Sequence, residues 1–267
     1  MKLWIFASVA CWLAVPNAVA QIGVVGSLTH EYNVAPGHSY NGIIDIANTS
    51  AETQEVKVYQ SDLFFYADGT VDYGEPGGLP RSNARWMSLS PRQLLIPPRE
   101  SATVHYIIQV PDDATLTGTF WSLLMVEPIP LASPESTRPG AKPGVGVNQV
   151  LRYGIQIVTQ VGESGTRQVK FSQLKLVAEN GKRSLLADVE NTGERWLKGS
   201  FNLDLYDSNG GFVGRFESVQ QRMYPRTSVR YSVDLVGVAN GSYKALIVVD
   251  CGGDDVFGVN VNLVLKD

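Results

Sequence analysis

Ala102-Thr103-Val104-His105-Tyr106-Ile107-Ile108-Gln109-Val110 is the stretch on which the fold turns. Ala102, Val104, Tyr106, Ile108 and Val110 fall on one side of an extended chain, and Thr103, His105, Ile107 and Gln109 on the other. The segment therefore reads as a strand with one well-buried face and one mixed face. Pro111 ends it, because proline brings no N–H to a ladder. Beyond residue 20 no part of the chain keeps an apolar 3.6-residue period for long, whereas period two recurs on both sides of this strand.

Similar runs occupy residues 41–48, 55–65, 85–89, 93–96 and 118–126, with turn chemistry between them in Ala67-Asp68-Gly69, Glu75-Pro76-Gly77-Gly78 and Pro97-Pro98. About seven short strands at this spacing predict a sandwich. Residues 127–146 then change texture, with Pro128, Pro130, Pro134, Pro139 and Pro143 among Ser, Gly and charged residues. They predict a long loop outside the core. Alternation resumes over 147–161, and Gly162-Glu163-Ser164-Gly165 reads as a linker.

The second half repeats the style over 168–177, 184–190, 199–206, 211–216, 228–235, 242–250 and 256–265. Asn180-Gly181, Asn209-Gly210 and Asn240-Gly241 are turn signals, since both residue types accept a positive φ at small cost. The fold class expected is all-β, two sandwiches in tandem, with boundaries at 21–161 and 166–267 around the linker 162–165.

Residues 1–20 read as a cleaved secretory leader. Lys2 precedes an uncharged run from Leu3 to Val15, Pro16 and Asn17 break it, and Ala18-Val19-Ala20 supplies the small residues that signal peptidase reads. The run is shorter than the ~20 residues a bilayer span requires. Cys11 is set aside as a lipid site, because the stretch before it is too short and the downstream cleavage site is good. No other segment reads as an integral membrane span. Removing the leader takes away one lysine and no acid, so the mature chain is one unit more negative than the formal −4 of the full sequence. No basic patch points to nucleic acid. Of two cysteines only Cys251 remains, which excludes an intrachain disulfide in a compartment that would permit one.

The chemistry of an enzyme is not legible. The three histidines are His30, His38 and His105, and they bring neither a nucleophile pattern nor a third ligand at metal-binding spacing. Asp250, Asp254 and Asp255 surround Cys251-Gly252-Gly253 and could offer oxygens to calcium. A polar hairpin turn accounts for them more simply, because the interleaved spacing of a calcium loop is missing. Ser164 lacks the Gly-x-Ser-x-Gly frame. Asn48-Thr49-Ser50 and Asn240-Gly241-Ser242 match glycosylation acceptors but sit where turns are expected. No cofactor is expected, and the reading is non-enzymatic.

What remains is surface suited to another protein. Val145, Val147, Gln149, Leu151, Tyr153, Ile155 and Ile157 put an alternating face beside the proline-rich loop, and a strand leaving such a loop can pair with a foreign edge. An ordinary closing strand explains Leu151 to Ile157 equally well, but accounts less well for Val145 and Val147. Candidate partner-binding residues are Val145, Val147, Gln149, Leu151, Arg152 and Tyr153.

Gly42-Ile43-Ile44-Asp45-Ile46-Ala47-Asn48, Leu94-Leu95-Ile96-Pro97-Pro98-Arg99-Glu100-Ser101, 106–111 and 120–128 resemble the periplasmic pilus-assembly chaperones. These are exported proteins of two immunoglobulin-like domains. The long loop and the strand 147–157 fall where that family has its extended loop and its subunit-donated strand. The resemblance implies a periplasmic, chaperone-like protein whose exposed strand completes the sandwich of a pilin-like client. It also implies two basic residues in the interdomain cleft that hold the client's terminal carboxylate. Arg152 falls close to one of these, or Gly154 after a shift of two, and residues 27–34, where the other belongs, contain no Arg or Lys. A weaker resemblance leads to the two-domain surface proteins that partner WxL proteins. Those carry a C-terminal membrane anchor, which is not read up to Leu265-Lys266-Asp267. The alternative function is accordingly a cell-envelope module binding a sister protein or wall material.

Overall fold

The computed structural model describes residues 21–130, 150–179 and 181–266. Residues 1–20, read as a leader, lie outside the described residues, as do residues 131–149.

The first half contains β1 (Ile22–Val25), β2 (Thr29–Val34), β3 (Ser39–Asn48), β4 (Gln54–Phe65), β5 (Val71–Gly74), β6 (Met87–Ser90), β7 (Gln93–Ile96), β8 (Ser101–Gln109), β9 (Gly118–Ile129) and β10 (Tyr153–Val161). One sheet runs β1-β3-β8-β6. The other runs β2-β10-β9-β4-β5, with β7 also on β4. Between them lies a core that includes Ile44, Val56, Tyr106, Leu124, Val126, Ile155 and Ile157. β8 behaves as its alternation requires, for Val104, Tyr106, Ile108 and Val110 are buried while His105, Ile107 and Gln109 face outward.

The second half supplies β11 (Val169–Glu179), β12 (Lys182–Asn191), β13 (Leu197–Tyr206), β14 (Phe212–Met223), β15 (Ser228–Asp234), β16 (Gly241–Asp250) and β17 (Val256–Leu265). They form the sheets β11-β12-β15 and β14-β13-β16-β17 around a core containing Leu185, Val189, Phe201, Leu203, Tyr231 and Ile247. The architecture is two immunoglobulin-like sandwiches in tandem. No helix among the described residues is long and apolar enough to cross a membrane.

Several elements differ from the expectation. Residues 127–129, expected at the start of the loop, carry β9 on against Lys57, Val56 and Glu55 of β4. β14 runs to Met223 where a strand ending at 216 was expected, and β5 was not expected. Residues 85–89 do not form one strand, because the chain makes a 3₁₀ turn over Ala84–Trp86 before β6. Asn83 sets that turn from within the core. Its side-chain amide donates to Ile157 O at 3.0 Å and Thr159 Oγ1 at 2.9 Å, Ser122 Oγ donates to its Oδ1, and its carbonyl accepts Trp86 N–H at 3.0 Å. The strand expected over 147–161 begins, among the described residues, only at Tyr153. The cause lies on β9. Tyr153 pairs with Val126, so the next mutually bonded position would set Leu151 opposite Pro128. Pro128 has no N–H to give, and the β9–β10 ladder stops there.

Candidate protein-binding edge

β10 is the strand that the chain closes last in the first sandwich. On one side it pairs antiparallel with β9 from Tyr153 to Val161, and on the other parallel with β2. β2 is too short to cover it. Its pairing begins at Gln156↔Thr29, and Gln156 N–H donates to Leu28 O at 2.9 Å. In a strand the N–H and C=O of one residue point to the same side, and the side alternates. Gln156 faces β2, so Gly154 directs its backbone groups the same way, where no described strand meets them. Among the described residues the edge is open over its first residues. Val150 and Leu151, just before it, are 40% and 50% exposed.

The candidate side chains fall into distinct places. Leu151 is exposed, and Tyr153 packs against the first core. Arg152 leans toward Glu127, with Nη1 3.8 Å from Oε2. Glu127 also takes Lys57 Nζ at 3.0 Å and the Tyr59 hydroxyl at 2.7 Å. Partial burial works to raise its pKa, but the donors Tyr59 and Lys57 and the charge of Arg152 outweigh it and hold the carboxyl below its ordinary value. Gly154 faces Leu123 and Met125. Val145, Val147 and Gln149 lie outside the described residues.

The crevice between the sandwiches is lined differently. On β2 it carries Glu31, whose Oε1 accepts Trp196 Nε1–H at 2.7 Å and Gln160 Nε2–H at 3.0 Å. β10 contributes Gln156, which accepts the Tyr224 hydroxyl. The cation comes from the second half: the Arg222 guanidinium lies 4.1 Å from the Trp196 ring centroid, and its Nη1 donates to the Tyr224 hydroxyl at 3.3 Å. An acid thus stands on the strand where the resemblance implies a base, and Arg152 is engaged with Glu127 at the far end of β10.

The remaining candidates resolve into structure. Asp255 pairs with Arg167 at 3.0 Å, and Asp250 Oδ1 accepts Gly252 N–H at 2.9 Å in the β16–β17 turn. Asn48 is buried, and its amide donates to Glu52 O, Ile96 O and Pro97 O, tying the end of β3 to β7. His30 Nδ1 lies 2.7 Å from the Tyr106 hydroxyl.

No protein-family model matches the chain, and no curated protein does. Solved structures do. Fimbrial chaperones are among the similar structures. A chaperone–tip adhesin complex of CFA/I fimbriae is 13% identical, over 90% of this chain and 98% of that one, with a TM-score of 0.48. The CsuC–CsuE chaperone–tip subunit complex of Acinetobacter baumannii is 13% identical over 91% and 98%, at 0.44. The E. coli chaperone DraB is 15% identical over 92% and 96%, at 0.43.

Sequence reasoning placed two residues that shape the edge in other roles, Gly154 as an alternative match to a basic position and Pro128 in the expected loop. Gly154 presents backbone to the open side, and Pro128 sets where pairing with β9 stops. A proline inside an apolar strand is the signal that could have found the second, since it marks a ladder position without a donor.

Proposed function

We propose that this chain is a periplasmic, non-enzymatic chaperone-like protein that holds an exported protein subunit by adding the leading part of β10 to the subunit's unfinished sheet. The observation that carries the reading is the open side of β10 before Gln156. Gly154 offers main-chain groups there that have no partner among the described residues, beside the exposed Val150 and Leu151. A client strand laid along this edge would gain hydrogen bonds from Gly154, while alternate apolar side chains of this segment supply contact area. The resemblance read in the sequence makes a pilin-like subunit the client class. Shielding such a subunit's own edge keeps it from aggregating.

The test is co-purification of a co-exported client from periplasm with the wild-type chain, Gly154→Pro and Leu151→Asp. Gly154→Pro removes the outward N–H and leaves the bonds to β9 intact, and edge strands tolerate proline. Both variants are expected to melt as the wild type does and to lose the client. Undiminished recovery rejects strand addition at this edge. Retention on intact cells or wall material, with no client recovered, would favour the surface-module reading instead.

A further inference from the structure

On residues that belong neither to the β10 edge nor to the crevice around Glu31 and Arg222, the two sandwiches flank an open cavity of about 760 Å³. That volume suits a small organic ligand, and domain junctions are a common place for such sites. Phe64 and the exposed Tyr66 give it aromatic walls, and Leu79 and Leu116 lie on its lining.

Two arginines face it, and they differ in what they have left to offer. Arg81 is engaged: Nη1 donates to Thr117 O at 2.7 Å, Nη2 pairs with Glu194 Oε1 at 3.1 Å, and the guanidinium lies 5.4 Å from the Phe120 ring centroid. Glu194 is also occupied, by Thr117 Oγ1 at 3.1 Å and Thr166 N–H at 3.2 Å. Arg226 is exposed, and its side chain has no hydrogen-bond, ion-pair or ring partner among the described residues. Asp72, also on the lining, pairs with neither arginine.

Arg226 holds its place against its own backbone preference. Its φ is +64°, and among the described residues only Arg99 is another non-glycine with a positive φ. That conformation disfavours an L side chain by roughly 1–2 kcal/mol. It is imposed by Arg226 N–H on Asn191 O at 2.7 Å and Thr227 N–H on Tyr224 O at 3.0 Å, next to the buried Pro225. Arg99 adopts the same conformation after Pro98, with Glu100 N–H on Pro97 O at 3.2 Å, so the turn fixes the place of Arg226. What points to a ligand is an exposed cation, without a partner among the described residues, beside an aromatic cavity. We infer that this cavity binds a small aromatic anion, its ring against Phe64 and Tyr66 and its acidic group on Arg226. The aromatic walls favour a planar partner, and the free guanidinium makes two directed bonds to an oxyanion.

The probe is 1-anilinonaphthalene-8-sulfonate, an aromatic sulfonate whose fluorescence rises in apolar surroundings. Titration of the full-length mature protein should show one saturable site. Arg226→Gly should weaken it by roughly tenfold, the loss expected for one charge-assisted contact. Glycine relaxes the positive φ, so this variant should melt no lower than the wild type, which separates lost binding from lost folding. Leu116→Trp, which fills the cavity, should abolish the site, and Gly154→Pro should leave it unchanged. A non-saturating signal, or one equal in the wild type, Arg226→Gly and Leu116→Trp, would overturn the inference and assign the dye to exposed apolar surface.

Discussion

Trp121 of the first sandwich and Tyr224 of the second lie face to face, with ring centroids 4.7 Å apart and planes 8° from parallel. Both rings are buried, and Phe64, Phe65 and Trp196 pack around them. The polar atoms are satisfied in place: Trp121 Nε1–H donates to Leu63 O at 2.9 Å and the Tyr224 hydroxyl to Gln156. Main-chain contacts reinforce the junction, with Thr119 N–H on Glu194 O at 2.8 Å. The sandwiches are therefore joined through a buried, hydrogen-bonded seam.

Trp121→Ala should lower unfolding stability by about 3–5 kcal/mol, the usual effect of emptying a buried aromatic site. Tyr224→Ala should have a similar effect. The double variant should fall short of the sum by about 0.5–1.5 kcal/mol, the coupling typical of a stacked pair. Urea denaturation of the four proteins measures this, and strict additivity would show that the stack contributes nothing beyond buried area.

Gly42 and Tyr106 are register partners on β3 and β8, and a Cβ on Gly42 would overlap the Tyr106 ring. The ring is buried and cannot swing away without losing His30. Gly42→Ala should destabilise by about 1–3 kcal/mol through overpacking. In a Tyr106→Leu background the same substitution should have a much smaller effect, because the smaller side chain frees the space. A loss that is equal in both backgrounds would trace the effect to backbone conformation.

How far these features were legible depended on the sequence distance over which each is decided. The face of β8 was readable because Val104, Tyr106 and Ile108 alternate locally and Pro111 closes the run. The start of β10 was not, since the alternation from Val145 to Ile157 carries no break of its own, and the donor missing at Pro128 belongs to another strand. The crevice was hidden for the same reason. Residues 27–34 show that Arg and Lys are absent, but only the fold brings Glu31 to Trp196 and sets Arg222 beside them. The arginine mouth of the cavity has no local signal either, for Tyr224-Pro225-Arg226-Thr227 reads as an ordinary turn.

His30 links this packing to pH. Burial holds its pKa below the usual 6.5, against a backbone hydrogen bond with Ser27 that works the other way. As pH falls from about 6.5 toward the folded value, the unfolded chain binds the proton and the folded protein does not. The stabilisation is thus whole above about pH 6.5 and is lost below it. The stability advantage of wild type over His30→Gln should narrow between about pH 7.5 and about pH 5 in urea titrations. An advantage that stays constant would mean that His30 does not titrate differently in the two states.

Cys251 closes β16 in the acidic turn, half out of solvent. Burial first, and then the charges of Asp255 and Asp250, push its thiol up to about 11. Since the thiolate is the reacting species, alkylation by iodoacetamide near pH 8 should be on the order of 10²-fold slower than for free cysteine. Unfolding in urea removes both causes and should restore the ordinary rate. Asp250→Asn removes one charge and leaves the burial, so it should accelerate the native reaction only severalfold. If the native protein reacts as fast as the unfolded chain, the turn does not shield the thiol and Cys251 is a usable reactive handle.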